Sequence, residues 1–163
     1  MIIKDFPMPI SVNRAYRSVR TGEHSKMVKT DKYKEYIDLV NGYQLVNFQL
    51  LKGFSEMAKV WVDAGNTLSF ERIFLFHKKK ICRKDGRSKK LDVSNRIKCV
   101  DDCICDLLGI DDKYIEYGTE LKMITSDENQ ERVYIGIKPY EEMDLRSTLG
   151  YRMLINMQSE ESV

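Results

Sequence analysis

The segment KKLDVSNRIKCVDDCICDLLGIDD, Lys89 to Asp112, holds six aspartates: Asp92, Asp101, Asp102, Asp106, Asp111 and Asp112. It overlaps the end of the most basic run in the chain, HKKKICRKDGRSKK, His77 to Lys90, which has eight Lys/Arg against one Asp. Carboxylates at both ends of a segment suit a hard cation such as Mg²⁺, and a lysine between them, beside basic loops, suits phosphate. Stepping about 100° per residue from a helix start at Ser94 or Asn95 puts Ile97, Val100, Ile104, Leu107 and Leu108 on one arc, wide enough to face a core. Asn95, Lys98, Asp102 and Asp106 fall on the opposite side. Taken singly, these groups also read as surface chemistry: Lys98 and Asp102 as an i, i+4 pair, and Asp92, Ser94 and Asp112 as caps or turn residues. Only the constellation as a whole points to a cation and a phosphate.

The surrounding charge pattern agrees with a polyanionic partner. The net charge is +2, yet residues 1–100 carry 21 Lys/Arg against 10 Asp/Glu, whereas residues 101–163 carry 6 against 15. The run from His77 to Lys90 has enough charge to track several phosphates if it lies along one surface; alone, it reads as a solvated loop. The cysteines Cys82, Cys99, Cys103 and Cys105 form no CxxC pair, and the C-x-x-x-C-x-C spacing of the last three matches no familiar zinc site. They read as reduced thiols. The longest uncharged run, Leu39 to Leu51, is too short and polar for a membrane span, and the first ten residues lack the apolar core of a signal peptide, so the expected location is cytoplasmic.

The elements that must position this chemistry can be read in outline. MIIKDF predicts a short strand, stopped by Pro7 and Pro9. From Thr30 the apolar residues Tyr33, Tyr36, Ile37 and Val40 recur three and four apart, predicting a helical region capped by Thr30 or Asp31 and stopped at Gly65-Asn66, with a kink or division at Asn41-Gly42. Leu68 to Phe76 predicts a strand feeding the basic run. KYIEYGTELKMI and ERVYIGIKPY, on either side of TSDENQ, predict a β-hairpin. A short helix from Glu141 to Asn156 and a disordered end would follow. The order predicts one α+β domain over residues 1–140, with helices packed on a small mixed sheet, and a C-terminal extension over 141–163, partly helical then disordered.

LDVSNRIKCVDDCICDLLGIDD resembles the signature of RusA-type Holliday junction resolvases: D-x-D-N-x-x-K, an Asp four residues after the Lys, and a D-D pair about ten residues on. The matching residues are Asp92, Asn95, Lys98, Asp102 and Asp111-Asp112. PMPISVNRAYR resembles the family's opening P-P-S-x-N-x-x-Y through Pro9, Ser11, Asn13 and Tyr16, and VKTDKYKEY stands where the family enters its first helix. The resemblance covers roughly residues 4 to 139. It departs at Ser94, a neutral oxygen where the family usually has a second metal-binding Asp.

The resemblance implies a RusA-like fold and Mg²⁺- or Mn²⁺-dependent hydrolysis of a phosphodiester in branched DNA, serving bacterial or phage recombination and repair. It implies Asp92 and Asp112 as catalytic metal ligands, with Asp102 or Asp111 completing the set, and Lys98 stabilising charge on the phosphate. Asn13, Arg14, Tyr16, Arg17, Lys79, Lys80, Arg83, Arg87, Lys89, Lys90 and Asn95 are the expected DNA contacts. A homodimer is implied too, because two symmetric strands must be nicked. One alternative is a non-catalytic junction-binding relative, impaired by Ser94. The other is a protein that binds no nucleic acid and uses its acidic C-terminal third as an interaction surface.

Overall fold

The computed structural model describes residues 1–22, 24–83, 85, 87 and 93–140. Lys89, Lys90 and Asp92, and the extension from 141 to 163, lie outside the described residues. In chain order the elements are β1 (Ile2–Pro7), α1 (Val12–Ala15), β2 (Tyr16–Thr21), β3 (His24–Lys29), α2 (Asp31–Val46), α3 (Phe48–Asp63), β4 (Leu68–His77), α4 (Lys78–Ile81), α5 (Ser94–Leu108), β5 (Ile115–Thr125) and β6 (Arg132–Pro139). Short 3₁₀ turns span Asp112–Tyr114 and Glu128–Gln130. Among the described residues this is an α+β fold: five helices, a four-stranded mixed sheet in the order β1-β6-β4-β5, and a separate β2–β3 hairpin. No described helix is long and apolar enough to cross a membrane.

The sheet is organised around β4. LSFERIFLFH is apolar at most positions rather than at alternate ones, as expected of a strand covered on both faces, and every residue of it except Leu75 is buried. It pairs parallel with β5 and antiparallel with β6. The expected hairpin between β5 and β6 is therefore not formed: β4 lies between them. Their connection crosses the end of β4, where the His77 N–H donates to Glu131 Oε1 at 3.0 Å and the His77 ring bonds the Ser126 carbonyl at 3.1 Å. A six-residue loop looks like a hairpin connection in sequence, but burying a ten-residue apolar strand outweighs pairing two half-exposed ones.

One sheet face carries the core. Phe70, Phe74 and Phe76 of β4, Val133, Ile135 and Ile137 of β6, and Ile3 and Phe6 of β1 are buried against Tyr33, Tyr36 and Val40 of α2, Leu51 and Ala58 of α3, and Val100, Ile104 and Leu108 of α5. Thr30 caps α2 as expected, its hydroxyl accepting from the Tyr33 N–H at 3.3 Å. The expected break at Asn41-Gly42 does not occur; α2 runs through it, and the division falls at Asn47, whose side-chain amide donates to the Tyr43 carbonyl. This is local competition between a side-chain amide and the helix ladder. Gly42, by contrast, is tolerated inside the helix at a cost of about 1 kcal/mol.

Because β4 and β5 are parallel, the chain must cross back over the sheet between them. That crossover carries α5, and so places the aspartate-rich segment on the helical face.

Candidate functional site

Helix α5 buries Cys99, Val100, Cys103, Ile104, Cys105 and Leu108. Ser94 and Lys98 are exposed along it, and Asp101 and Asp102 are half-buried beside them. It ends at Gly109, whose φ of 63° lies in the left-handed region that favours glycine. The Gly109 N–H donates to the Asp106 carbonyl at 3.2 Å and the Ile110 N–H to the Cys105 carbonyl at 3.1 Å, the paired bonds of a Schellman stop. This reversal brings the Asp111-Asp112 pair back beside the helix it has just left.

The two aspartates then take different positions. Asp111 caps the 3₁₀ turn, Oδ1 accepting from the Lys113 N–H at 3.0 Å, and pairs with the Lys113 ammonium at 3.2 Å. Those bonds hold its carboxyl below the ordinary range. Asp112 instead lines an open cleft of about 420 Å³ together with Ser94, Ile97, Lys98, Asp101, Asp102 and Ile115. Burial raises the Asp102 carboxyl above its ordinary value; Lys98 opposes the shift, and Asp112 and Asp106 add to it. The structure thus brings Ser94, Lys98, Asp102 and Asp112 together. Asp111 is not among the residues that line the cleft.

Asp101, assigned no role from the sequence, forms one wall. Arg72 on β4 grips it with two parallel bonds, Nε to Oδ1 at 2.6 Å and Nη2 to Oδ2 at 2.8 Å. The Arg72 side chain is 3% exposed and that of Asp101 16%. Burial raises the Asp101 carboxyl in spite of Arg72, with smaller contributions from Asp102 and Asp112. Gly118 on β5 leaves room for this grip: a Cβ there would stand 2.5 Å from Arg72 Nη1. The pair joins residues 29 positions apart, so no local pattern signals it.

The segment matching the opening motif lies against the same helix. α1 packs on α5, and Arg96 donates to the Pro9 carbonyl while its guanidinium lies 5.4 Å from the Phe76 ring centre. Tyr16, half-buried, is close enough to feel Asp102 and Lys98, although burial is the main reason that its hydroxyl is raised. Lys29, paired across from Tyr16 on the β2–β3 hairpin, also acts on Asp102. Asn13 and Arg14 are exposed on α1 and Arg17 at the base of the hairpin. The hairpin carries Arg17, Arg20, Lys26 and Lys29, a basic ribbon whose base, at Tyr16 and Lys29, lies near Asp102 of the acidic cleft.

The other expected contacts are spread along the chain. Lys79 and Lys80 stand exposed on α4, where Lys80 pairs with Glu131. Arg83 and Arg87 are exposed and joined by a backbone bond of 2.7 Å, with Arg87 near Asp85 at 3.8 Å. Asn95 is half-buried in the first turn of α5. All four cysteines are free, and burial pushes the Cys103 thiol up to about 11 and that of Cys105 up to about 12, which suppresses thiolate chemistry.

No protein-family model and no curated protein matches this chain.

Asp102, Asp112 and Ser94 offer the oxygen donors that Mg²⁺ or Mn²⁺ takes. In number they fall short: among the described residues no three His, Cys, Asp or Glu side chains form a group able to hold a metal ion. A metal site here would require a further donor, for which the resemblance implies Asp92, outside the described residues.

Proposed function

We propose that the chain is a RusA-like, structure-specific endodeoxyribonuclease that hydrolyses a phosphodiester in Holliday junctions or other branched DNA as a homodimer, in the bacterial cytoplasm. The observation that carries this reading is that Ser94, Lys98, Asp102 and Asp112, four positions of one motif, line one open cleft, while the segment of the second motif packs on the same helix. Asp102 and Asp112, with Asp92, would hold Mg²⁺ or Mn²⁺; when bound, the ion supplies positive charge against the scissile phosphate. Lys98 offsets the charge that gathers on the phosphate oxygens, and the basic ribbon and the α4 run hold the DNA by its backbone. Recognition would follow shape, not base sequence.

The test compares cleavage of a four-way junction in Mn²⁺ with junction binding in EDTA. Binding and nicking together support the reading; no retardation of branched DNA at low salt overturns it. Substituting Arg20, Lys26, Lys79 and Arg83 together is expected to flatten the slope of log K against log salt by about 0.9 for each duplex phosphate that these side chains neutralise in the wild type. An unchanged slope would remove these residues from the interface.

A second reading, a junction-binding relative without catalysis, is favoured by the hydroxyl of Ser94 standing in the cleft where the pattern has a carboxylate. Ser94→Asp separates the two. It is expected to tighten Mn²⁺ binding and raise nicking at limiting metal, while lowering metal-free stability by adding charge beside Asp102. Calorimetric titration of both forms decides; equal affinity would mean that position 94 plays no part in metal binding.

A further inference from the structure

The α2–α3 span shows an apolar stripe that the core does not use. α3 turns Leu51, Phe54 and Ala58 inward, and the Ser55 hydroxyl ties it to α5 by donating to the Leu108 carbonyl at 2.7 Å. A second arc, Val46, Leu50, Gly53, Met57 and Val60, has the 4-3-4-3 spacing of a helix-packing seam. It faces outward: Val46 is 85% exposed, Leu50 46%, Met57 45% and Val60 65%. The seam extends back to Leu39, 62% exposed. Helical bonds carry across Asn47, from its N–H to Tyr43 and from the Leu51 N–H to its carbonyl.

We propose that this stripe is the two-fold interface of a homodimer, in which α3 pairs antiparallel with its copy and the two helices cross at Gly53. Three observations select a second copy as the occupant. Glycine inside a helix is less favourable than alanine, yet among the described residues a Cβ at Gly53 would meet nothing within 4 Å. No described part of the protomer needs that glycine, whereas a second backbone approaching it does. The stripe is also self-complementary. Reversed about Gly53, Val46 falls opposite Val60 and Leu50 opposite Met57 to within one residue, which an isologous contact requires. Finally, the four exposed side chains that this pairing covers, Val46, Leu50, Met57 and Val60, present on the order of 400 Å², so they alone bury roughly 800 Å² in a pair, most of the ~1,000 Å² at which specific interfaces begin.

The proposal deepens the homodimer invoked above and rests on that reading only for its two-fold symmetry. Because α3 is bonded to α5, the interface fixes the two acidic clefts relative to each other.

Sedimentation of the full chain tests it. The wild type is expected to dimerise, and Leu50→Glu and Val60→Glu to weaken the dimer by about 100-fold or more with unchanged circular dichroism. Oxidised Gly53→Cys should form a disulfide-linked dimer, whereas Leu39→Cys, far from the axis, should not; the wild type, with three of its four cysteines buried, is the control. A monomeric wild type, a dimer indifferent to both glutamates, or a dimer that Gly53→Cys does not link would overturn the proposal. So would cross-links from Cys at position 53 to residues 141–163 of the same chain, which would assign the stripe to the chain's own end. A monomer that still nicks junctions overturns the interface alone; a dimer dissolved by Leu50→Glu but inert on DNA overturns the nuclease reading alone.

Discussion

Asp112→Asn is expected to lower Mn²⁺-dependent nicking of branched DNA by about 10²-fold or more, while junction binding in EDTA stays the same or tightens. The substitution keeps the shape of the side chain and removes one negative charge from a cleft that already holds Asp101 and Asp102. Less repulsion favours the DNA; one carboxylate fewer weakens the hold on the cation. Asp102→Asn should behave alike, and both variants should take up less Mn²⁺ in calorimetry, a readout independent of cleavage. Metal-free stability should not fall in Asp102→Asn, because burial and Asp112 already disfavour its charge. Asp111→Asn is the internal comparison. Its carboxylate accepts from the Lys113 N–H and does not line the cleft, so that variant, in which Asn caps the turn about as well as Asp, should change stability little and keep its metal affinity. If Asp111→Asn instead abolishes Mn²⁺ uptake and Asp112→Asn does not, the cleft has been assigned the wrong aspartate.

How much of the fold and the cleft is legible in the sequence depends on how far apart the partners lie. Thr30 announces α2 because a cap and the residues it serves are neighbours, and α5 shows its polar and core faces because both repeat with the helix period. The β2–β3 hairpin has no such signal. YRSVRTGEHSKMVK has little apolar alternation, since both faces are solvated, and periodicity reports only a difference in burial. The β5–β6 arrangement misleads for the opposite reason: each strand is visible, but the strand between them comes from earlier in the chain. On α2–α3 the apolar spacing reads as core, whereas the structure divides it between a buried stripe and an exposed one. The cleft is legible in part. Lys98, Asp102 and Asp112 belong to one segment, while Asp101 carries no local signal because what makes it buried and charged is Arg72 on β4.

That pair supports the largest stability prediction. Arg72→Met should remove about 3–5 kcal/mol, because it strands the Asp101 carboxylate in a largely buried position without its partner. Since domains of this kind are stable by only about 5–15 kcal/mol, the variant should unfold at much lower urea. Loss of packing alone would also destabilise, and pH distinguishes the two causes. A carboxyl raised in the folded state binds its proton more tightly there than in the unfolded chain, so its contribution makes the fold more stable as pH falls through the folded value towards the ordinary 3.8. Without Arg72 the Asp101 carboxyl rises further, and that gain is larger in the variant than in the wild type. The deficit of Arg72→Met should therefore shrink between neutral pH and about pH 4, whereas a packing defect would stay constant. Adding Asp101→Leu should restore most of the loss at pH 7, since the stranded charge is gone. A deficit that is independent of pH and survives in the double variant would mean that Arg72 contributes through its packing against Phe70 and β5, and that the charge on Asp101 is incidental.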